Sequence, residues 1–483
     1  MSPFWALPSE PDACALISDE GTSIDYRRLA LLTDSMAAAL PDSTGRQLGF
    51  IALAPTAALV ATYLHALRSR QHVPLLLAPE LHTELLSVLV SKYQPHWIAL
   101  PSDHPGVEGY VENWAADGEK VLVRDGRRLF EPELYPDLAL LLTSSGSTGS
   151  TKLVRLSYEA LAKNADSIVK YLNLGTNDRA ITMLPLSYSY GLSILNSHLA
   201  AGASLKLSTA SVISRRFWLQ AGTFQPTSLS GVPSTYEMLR RVKLESLGLQ
   251  NLRMLTQAGG RLRGELITQF NAMCRDLGWE FYVMYGQTEA SPRISYVPPN
   301  RLAEKIGSIG IPVPGGTLEV DTNNSELIYR GANVMLGYAD SVADLARGDD
   351  CQGVLRTGDT ARCDEEGFFY LTGRLKRFLK LSGTRVNLDD IEDGLIAHFH
   401  PGFACTGEDD ALNVFFASDT RETSPSEIRT WLRDRFGVFH GQVSVFPLRA
   451  FPLLANGKID YLFLQTRVLS STRGASTGTP VSP

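Results

Sequence analysis

The sequence predicts an α/β protein with a large multi-lobed N-terminal domain, a layered α/β body plus a β-rich lobe, and a small α+β C-terminal domain. Three observations carry that prediction. Short apolar runs alternate with helix-length periodic segments through residues 49–286, the pattern of strands covered by helices. Beyond about residue 300, Gly and Pro become dense between short β-like runs. Residues 376–468 then hold two amphipathic helical stretches and two strand-like ones, enough for a separate small unit.

The elements follow in order. GFIALAP (49–55) reads as a strand, ALVATYLHALRSR (58–70) as a helix, HVPLLLAP (72–79) as a strand, LHTELLSVLVSKY (81–93) as a helix and HWIALP (96–101) as a strand. The alternation returns in RAITMLPL, ASLKLS, LRMLTQ and EFYVMYG, each flanked by helical segments. KIGSIGIPVPGGTLEVD, ELIYRG and FFYLTG form the β-rich lobe. In the C-terminal unit IEDGLIAHF and SEIRTWLRDRFG are helices, and LNVFFAS and QVSVFPL strands. The expected boundaries are 1–374 for the N-terminal domain, 375–468 for the C-terminal one, and 469–483 for a polar, disordered tail.

Composition excludes several functions. The 483 residues are 44% apolar, enough for more than one core, and carry a net charge of −6 from 45 basic and 51 acidic residues. No basic tract stands out, which argues against nucleic acid or an anionic membrane surface as partner. The five cysteines are scattered without a CxxC, and the nine histidines show no metal-ligand spacing, so neither a disulfide framework nor a zinc site is expected. The N-terminus lacks the basic start and apolar core of a signal peptide, and FIALAPTAALVATYLHAL is broken by Pro55 and His65 rather than continuous enough to span a bilayer. A cytoplasmic protein is expected.

TSSGSTGSTK (143–152) carries the first chemical signal. Its composition fits either a flexible linker or a phosphate cradle. Context favours the cradle: the apolar strand PDLALLL precedes it, LVRL follows at once, and then a helix, SYEALAKNADSIVKYL, with Ser157 as N-cap. Gly146 and Gly149 let backbone N–H groups approach an anion, Ser144, Ser145, Ser147 and Thr148 add neutral donors beside Thr143, and Lys152 adds charge. Two residues separate Gly149 from Lys152, so this is not the P-loop of familiar NTPases, which places Gly directly before Lys. A second stretch, VMYGQTEAS (283–291), runs a strand into a Gly turn and a Thr288–Glu289 pair suited to a phosphate oxygen and Mg²⁺.

With those two stretches in place, the chain resembles the adenylate-forming superfamily: acyl-CoA synthetases, adenylation domains of nonribosomal peptide synthetases, and luciferases. The resemblance runs from about residue 20 to 465 through ordered motifs. They are TSSGSTGSTK, LPLSYSYGLS (184–193), QAGGRL (257–262), YGQTE (285–289), GSIGIPVPG (307–315), RTGD (356–359), GRLKRFLKLSGTRVNLDDIED (373–393) and NGKID (456–460).

The resemblance implies that ATP, with Mg²⁺, activates a small-molecule carboxylic acid as an acyl-adenylate. That reaction rests on charge neutralisation and in-line positioning. By position, the 143–152 loop cradles the β- and γ-phosphates, Thr288 touches the α-phosphate and Glu289 holds Mg²⁺. Asp359 binds the ribose hydroxyls and Arg374 reaches them too. Tyr285, with Gly286 and Gly259, lies at the adenine. Lys458 bridges carboxylate and ATP during adenylation. Lys376 is the pivot about which the C-terminal domain rotates. Gly383 then faces the site where the thiol of CoA or carrier-protein pantetheine attacks. The acyl pocket is expected near Tyr188, Ser189, Ser193, Ala258, Gly259 and Met284, with Ala258 and Gly259 leaving room; Arg293, close after YGQTE, faces either that pocket or the surface, and the surface is the favoured expectation.

The departures narrow the reading. Thr151 stands where the family commonly has Pro, and Tyr188 where many acyl-CoA synthetases carry a gating His. Amino-acid-activating members place an Asp where this chain has Ser189, so a free α-amino acid is not expected as substrate. The stretch from the hinge to Lys458 is short, which leaves CoA, a carrier protein and an amine open as acceptors. No fused carrier domain is read, so a carrier would be a separate protein. Two rival readings stand: an amide-forming ligase passing the adenylate to an amine, and a catalytically silent acyl-ligand scaffold.

Overall fold

The computed structural model describes residues 2–7, 10–41, 45–81, 83–116, 118–126, 133–143, 152–381, 384–399, 402–417, 424–453 and 459–466. The expected tail, 469–483, lies outside them. The chain divides into two compact units. The first is Met1–Glu319, Ile328–Leu355 and Asp364–Tyr370; the second is Val320–Leu327, Arg356–Cys363 and Leu371–Pro483. Four of the five passages between them fall inside the strands Gly316–Val320, Glu326–Gly331, Val354–Cys363 and Phe369–Arg374, and the fifth falls at the end of Val354–Cys363.

The first unit holds two large sheets. In the eight-stranded sheet the order is Gly337–Ala339, Leu153–Ser157, Leu138–Thr143, His72–Leu77, Gln47–Ala52, Trp97–Pro101, Glu119–Arg124 and Tyr110–Ala116. Its centre is parallel. Both faces of those strands are covered, and HVPLLL is buried at every position, which is why the runs are continuously apolar. Gly49 is dictated by packing: a Cβ there would lie 2.0 Å from the Trp97 ring.

The nine-stranded sheet runs Ile311–Pro312, Arg293–Val297, Glu280–Gly286, Met254–Gln257, Ser228–Gly231, Arg179–Ile181, Ser204–Lys206, Cys14–Ile17 and Ser23–Asp25. Ile311–Pro312 was expected in the β-rich lobe. It pairs instead antiparallel with Arg293–Val297, because Gly310, at φ +85°, lets the backbone pass Tyr296 where a Cβ would meet its carbonyl oxygen at 1.9 Å. The helix Ser189–Ala200 is buried almost all round, as a helix enclosed by other elements must be. Ser157 caps the helix Tyr158–Tyr171 as the sequence indicates, its Oγ accepting from the Ala160 N–H at 3.0 Å.

The second unit contains the three-stranded sheet Phe403–Glu408, Ala411–Ala417 and Val443–Leu448, with the helices Leu388–Phe399 and Pro425–Phe436. The latter starts on a Ser424–Glu427 capping box and stops at Gly437, whose φ of 68° suits a helix C-terminus. Lys376 lies in the 3₁₀ turn Leu375–Arg377. The neighbouring Arg377 is partly buried, paired with Asp389 at 2.6 Å and with Glu392, and lies over the Tyr461 ring.

Candidate active site

The YGQTE stretch sits at the end of the strand Glu280–Gly286, followed by the single turn Thr288–Ala290. Gly286 is required there: a Cβ would lie 1.8 Å from the Pro292 carbonyl oxygen. The turn is clamped by Asn333, whose Nδ2 donates to the carbonyls of Ala290 at 2.6 Å and Arg293 at 2.8 Å. Tyr329 in turn donates to Asn333 Oδ1 at 2.6 Å, and the Met335 N–H to the Glu289 carbonyl at 2.8 Å. Thr288 and Glu289 are thereby held buried in one geometry.

Thr288 Oγ1 and Ser189 Oγ, the first residue of the helix Ser189–Ala200, share a hydrogen bond of 3.2 Å. Only one of the two hydroxyls donates to the other, so the other's hydrogen is available to a ligand oxygen. Glu289 Oε1 accepts from Tyr338 Oη at 2.8 Å. Burial and the Glu289 carboxylate push the Tyr338 phenol up, so it remains a donor. Lys152 Nζ lies 4.1 Å from the centre of the same ring and 3.8 Å from Asp340 Oδ2. Tyr338 therefore ties the expected phosphate lysine to the expected magnesium carboxylate.

Neither Tyr338 nor Asn333 is found from sequence reasoning. Tyr338 belongs to Gly337–Ala339, a strand too short to read, brought in by antiparallel pairing with Leu153–Ser157. The alternation of strand and turn residues in GANVMLGYAD was the available signal.

Glu289 offers one carboxylate with an oxygen already oriented by Tyr338. That fits Mg²⁺, which takes one or two carboxylates together with phosphate oxygens and water. Among the described residues no group of three or more His, Cys, Asp or Glu is placed to hold a metal alone, so nucleotide phosphates would complete the shell.

The expected acyl-pocket residues divide. Ser193 and Met284 line a small cavity together with Tyr190, His198, Ser228 and Arg293. Tyr188, Ser189, Ala258 and Gly259 are not part of that lining. The room expected beside Gly259 is filled: at φ +84°, an added Cβ would lie 2.7 Å from Tyr188 Oη. Burial pushes the Tyr188 phenol up. Tyr285 is half-buried against the core. The surface placement expected for Arg293 is wrong. Its side chain is inside, donating to Tyr171 Oη and Ser193 Oγ, each at 3.2 Å, with its guanidinium 4.2 Å over the Tyr190 ring. The strand Arg293–Val297 is covered on both faces, so alternation gives no exposed side for it.

In the second unit Asp359 is nearly buried, and Arg374 donates to it through Nε at 3.0 Å. Gly358, at φ +73°, makes the turn, and its N–H donates to Glu326 Oε1 at 3.1 Å. Most of the Arg374 side chain is exposed. Ser144–Thr151, Gly383 and Lys458 lie outside the described residues.

A family model described as AMP-binding enzyme matches residues 4–339. A feruloyl-CoA synthase from an Amycolatopsis species is 27% identical over 350 residues, 67% of this chain and 68% of the relative. An indoleacetate–CoA ligase from Aromatoleum aromaticum is 31% identical over 290 residues, 57% of this chain and 55% of the relative. Among solved structures, ATP-bound MatB from Rhodopseudomonas palustris is similar at a TM-score of 0.77 and 20% identity, over 96% of this chain and 97% of that one. The o-succinylbenzoate CoA synthetase MenE from Bacillus subtilis, in complex with its acyl-adenylate intermediate, gives 0.75 and 20%, over 96% and 98%. At that identity the structures establish a shared fold.

Proposed function

Because the chain belongs to the AMP-binding enzyme family, we propose that it is an AMP-forming acid–thiol ligase. It activates a carboxylic acid with ATP as an acyl-adenylate and transfers the acyl group to the thiol of CoA. The observation that carries the reading is the Lys152–Tyr338–Glu289 arrangement beside the Thr288–Ser189 hydroxyl pair. The Tyr338 ring joins the Lys152 cation to the Glu289 carboxylate, and the hydroxyl pair lies on the residue next to Glu289.

The chemistry is attack of the substrate carboxylate on the α-phosphorus with departure of pyrophosphate, so charge on oxygen is what the site must hold. Mg²⁺, when bound, neutralises phosphate charge. Glu289 holds it in a direction set by Tyr338, Lys152 faces the outer phosphates, and Thr288 donates to the α-phosphate. Asp359 takes the ribose hydroxyls, with Arg374 fixing the carboxylate. Lys458 bridges the two reacting oxygens, Lys376 is the pivot between half-reactions, and Gly383 lies toward the entering thiol. The domain limits proposed for that rotation are 1–374 and 375–468. Relatives named as feruloyl-, indoleacetate-, oxalate- and 2-succinylbenzoate–CoA ligases favour CoA as the acceptor and an acyl or aryl acid as substrate. Ser189, in place of a carboxylate, gives an α-ammonium no partner. A carrier-protein pantetheine presents the same thiol.

The test is pyrophosphate release with ATP and Mg²⁺ across fatty, aryl, dicarboxylic, keto and amino acids, with hydroxylamine as trap, followed by CoA consumption. Turnover with one class, and none with amino acids, is expected. Folded protein that binds ATP and releases no pyrophosphate with any acid would overturn the reading. In a second arm, Lys458→Ala should abolish adenylation yet form thioester from supplied acyl-adenylate; equal loss of both steps removes the role given to Lys458.

A further inference from the structure

Among the described residues Arg293 is a buried cation with no carboxylate paired to it. Its described contacts are two hydroxyls and one aromatic face: Tyr171, Ser193 and Tyr190. Nε and Nη2 make these hydrogen bonds. A guanidinium cannot shed its proton to escape this position. Burying an ion is tolerated when something of opposite charge completes it.

The space around it is polar beyond what its own residues satisfy. Arg293 lines a cavity with Ser193, His198, Ser228, Thr256 and Met284. His198 Nε2 and Ser228 Oγ are buried there without a hydrogen-bond partner. His198 Nδ1 is 2.8 Å from the Ile194 carbonyl and must donate to it, and burial pulls the imidazole down. Its Nε2 is therefore an acceptor, served by water or a ligand hydroxyl. The cavity itself has room for about one water, so a ligand group reaching Arg293 displaces that water and shifts the side chains that line it.

We propose that Arg293 is the specificity-determining counter-ion for a second carboxylate on the acid substrate, so that the enzyme takes dicarboxylic acids. This rests on the acid-activating reading above and adds the substrate class to it. The register follows from the helix Ser189–Ala200. Ser189 meets Thr288 at the reacting end, and Ser193, one turn later, meets Arg293. Residues four apart on a helix lie about 5–6 Å apart on one face, so the two carboxylates are separated by a short spacer of about two to four carbons. The same cation disfavours an α-ammonium, in keeping with Ser189.

The test uses matched acids on the full chain: succinate, butyrate and monomethyl succinate, then glutarate, valerate and monomethyl glutarate. The readouts are pyrophosphate release with hydroxylamine and the shift in melting temperature on adding acid. Wild type should prefer the diacid over its matched monoacid and monoester by about 10- to 100-fold in kcat/KM, the size of a charge-assisted contact. Arg293→Met should collapse that ratio at least tenfold through KM, and abolish the diacid-induced melting shift. Arg293→Lys should restore part of both. A purely structural Arg293 would lower diacid and monoester alike and leave the ratio standing, which would overturn the proposal. Should Arg293→Met fail to fold, Ser193→Ala, which removes one orienting contact, must still narrow the ratio. Monoacids turned over as well as diacids by wild type sink this inference while the ligase reading survives. No turnover and no melting shift with any acid sinks both.

Discussion

Two arginines lie buried in the first unit, and they are handled in opposite ways. Arg155, fully buried on Leu153–Ser157, donates from Nη2 to Asp350 Oδ2 at 2.6 Å and to the Leu336 carbonyl at 3.2 Å, and from Nη1 to the Arg347 carbonyl. Arg293, 3% exposed, has hydroxyls and a ring but no acid. Both side chains are removed from bulk water. In one the protein supplies the counter-charge, so the arginine knits strands to the 336–350 segment. In the other the protein withholds it, and a ligand completes the site.

The largest effect expected from that contrast is on stability. Asp350→Ala strands Arg155 as an uncompensated cation and should cost about 3 kcal/mol, toward the lower end for broken buried pairs because Asp350 is one-third exposed. Chemical denaturation followed by fluorescence reads it. A cost no greater than that of removing Arg293 would erase the distinction.

The contrast extends to acids. Glu289 is also buried, and among the described residues no cation pairs with its carboxylate, which is held by the Tyr338 hydroxyl. Tyr338→Phe keeps the ring beneath Lys152 and removes that single hydrogen bond. It should raise the Mg²⁺ concentration needed for half-maximal pyrophosphate release about 10-fold, within the range for groups that orient a metal ligand. An unchanged Mg²⁺ dependence would detach Tyr338 from the site.

Much of this was legible in the residues. The parallel strands announce themselves as continuous apolar runs, and Ser157 as a helix start, because local chemistry decides both. Lys152, Thr288 and Glu289 could be named as candidates from motif order, and in the structure Tyr338 contacts both Lys152 and Glu289. Tyr338, Asn333 and the inward Arg293 could not. Each depends on long-range pairing: a three-residue strand has no periodicity to detect, and RISYV is buried on both faces, so its alternation carries no information on which side is wet. An isolated Arg is ordinarily a surface residue, and only the surrounding helix and sheet make it otherwise.

The third prediction asks whether Arg293 contributes to folding. Arg293→Met exchanges an incomplete cation for an apolar chain against Tyr190 and Met284, and Ser193 keeps its bond to the Tyr190 carbonyl at 2.7 Å. The change in unfolding free energy should stay within about 1 kcal/mol of wild type, in either direction. A loss matching that of Asp350→Ala would mean that Arg293 is structural after all.

Glu119 shows what an ionisable group does when it can escape. It is buried, accepts from Thr56 Oγ1 at 2.7 Å, and has Oε2 without a partner. Burial pushes its carboxyl up to about 7, against the hydrogen bond from Thr56, so it folds carrying a proton where an arginine must stay charged. The sign follows from proton counting. Between the ordinary carboxyl value of 4.5 and about 7 the folded protein binds more protons than the unfolded chain, so this group's contribution falls as pH rises through that window. Glu119→Gln has no proton to lose. Relative to wild type it should gain stability between pH 5 and pH 8, by something under about 1 kcal/mol once solvent screening is allowed for. Thermal melts at both pH values measure that difference. A gap that stays flat, or closes as pH rises, would show that Glu119 is ionised in the fold. Burial without an ion pair would then cease to separate the groups kept for ligands from those that simply neutralise.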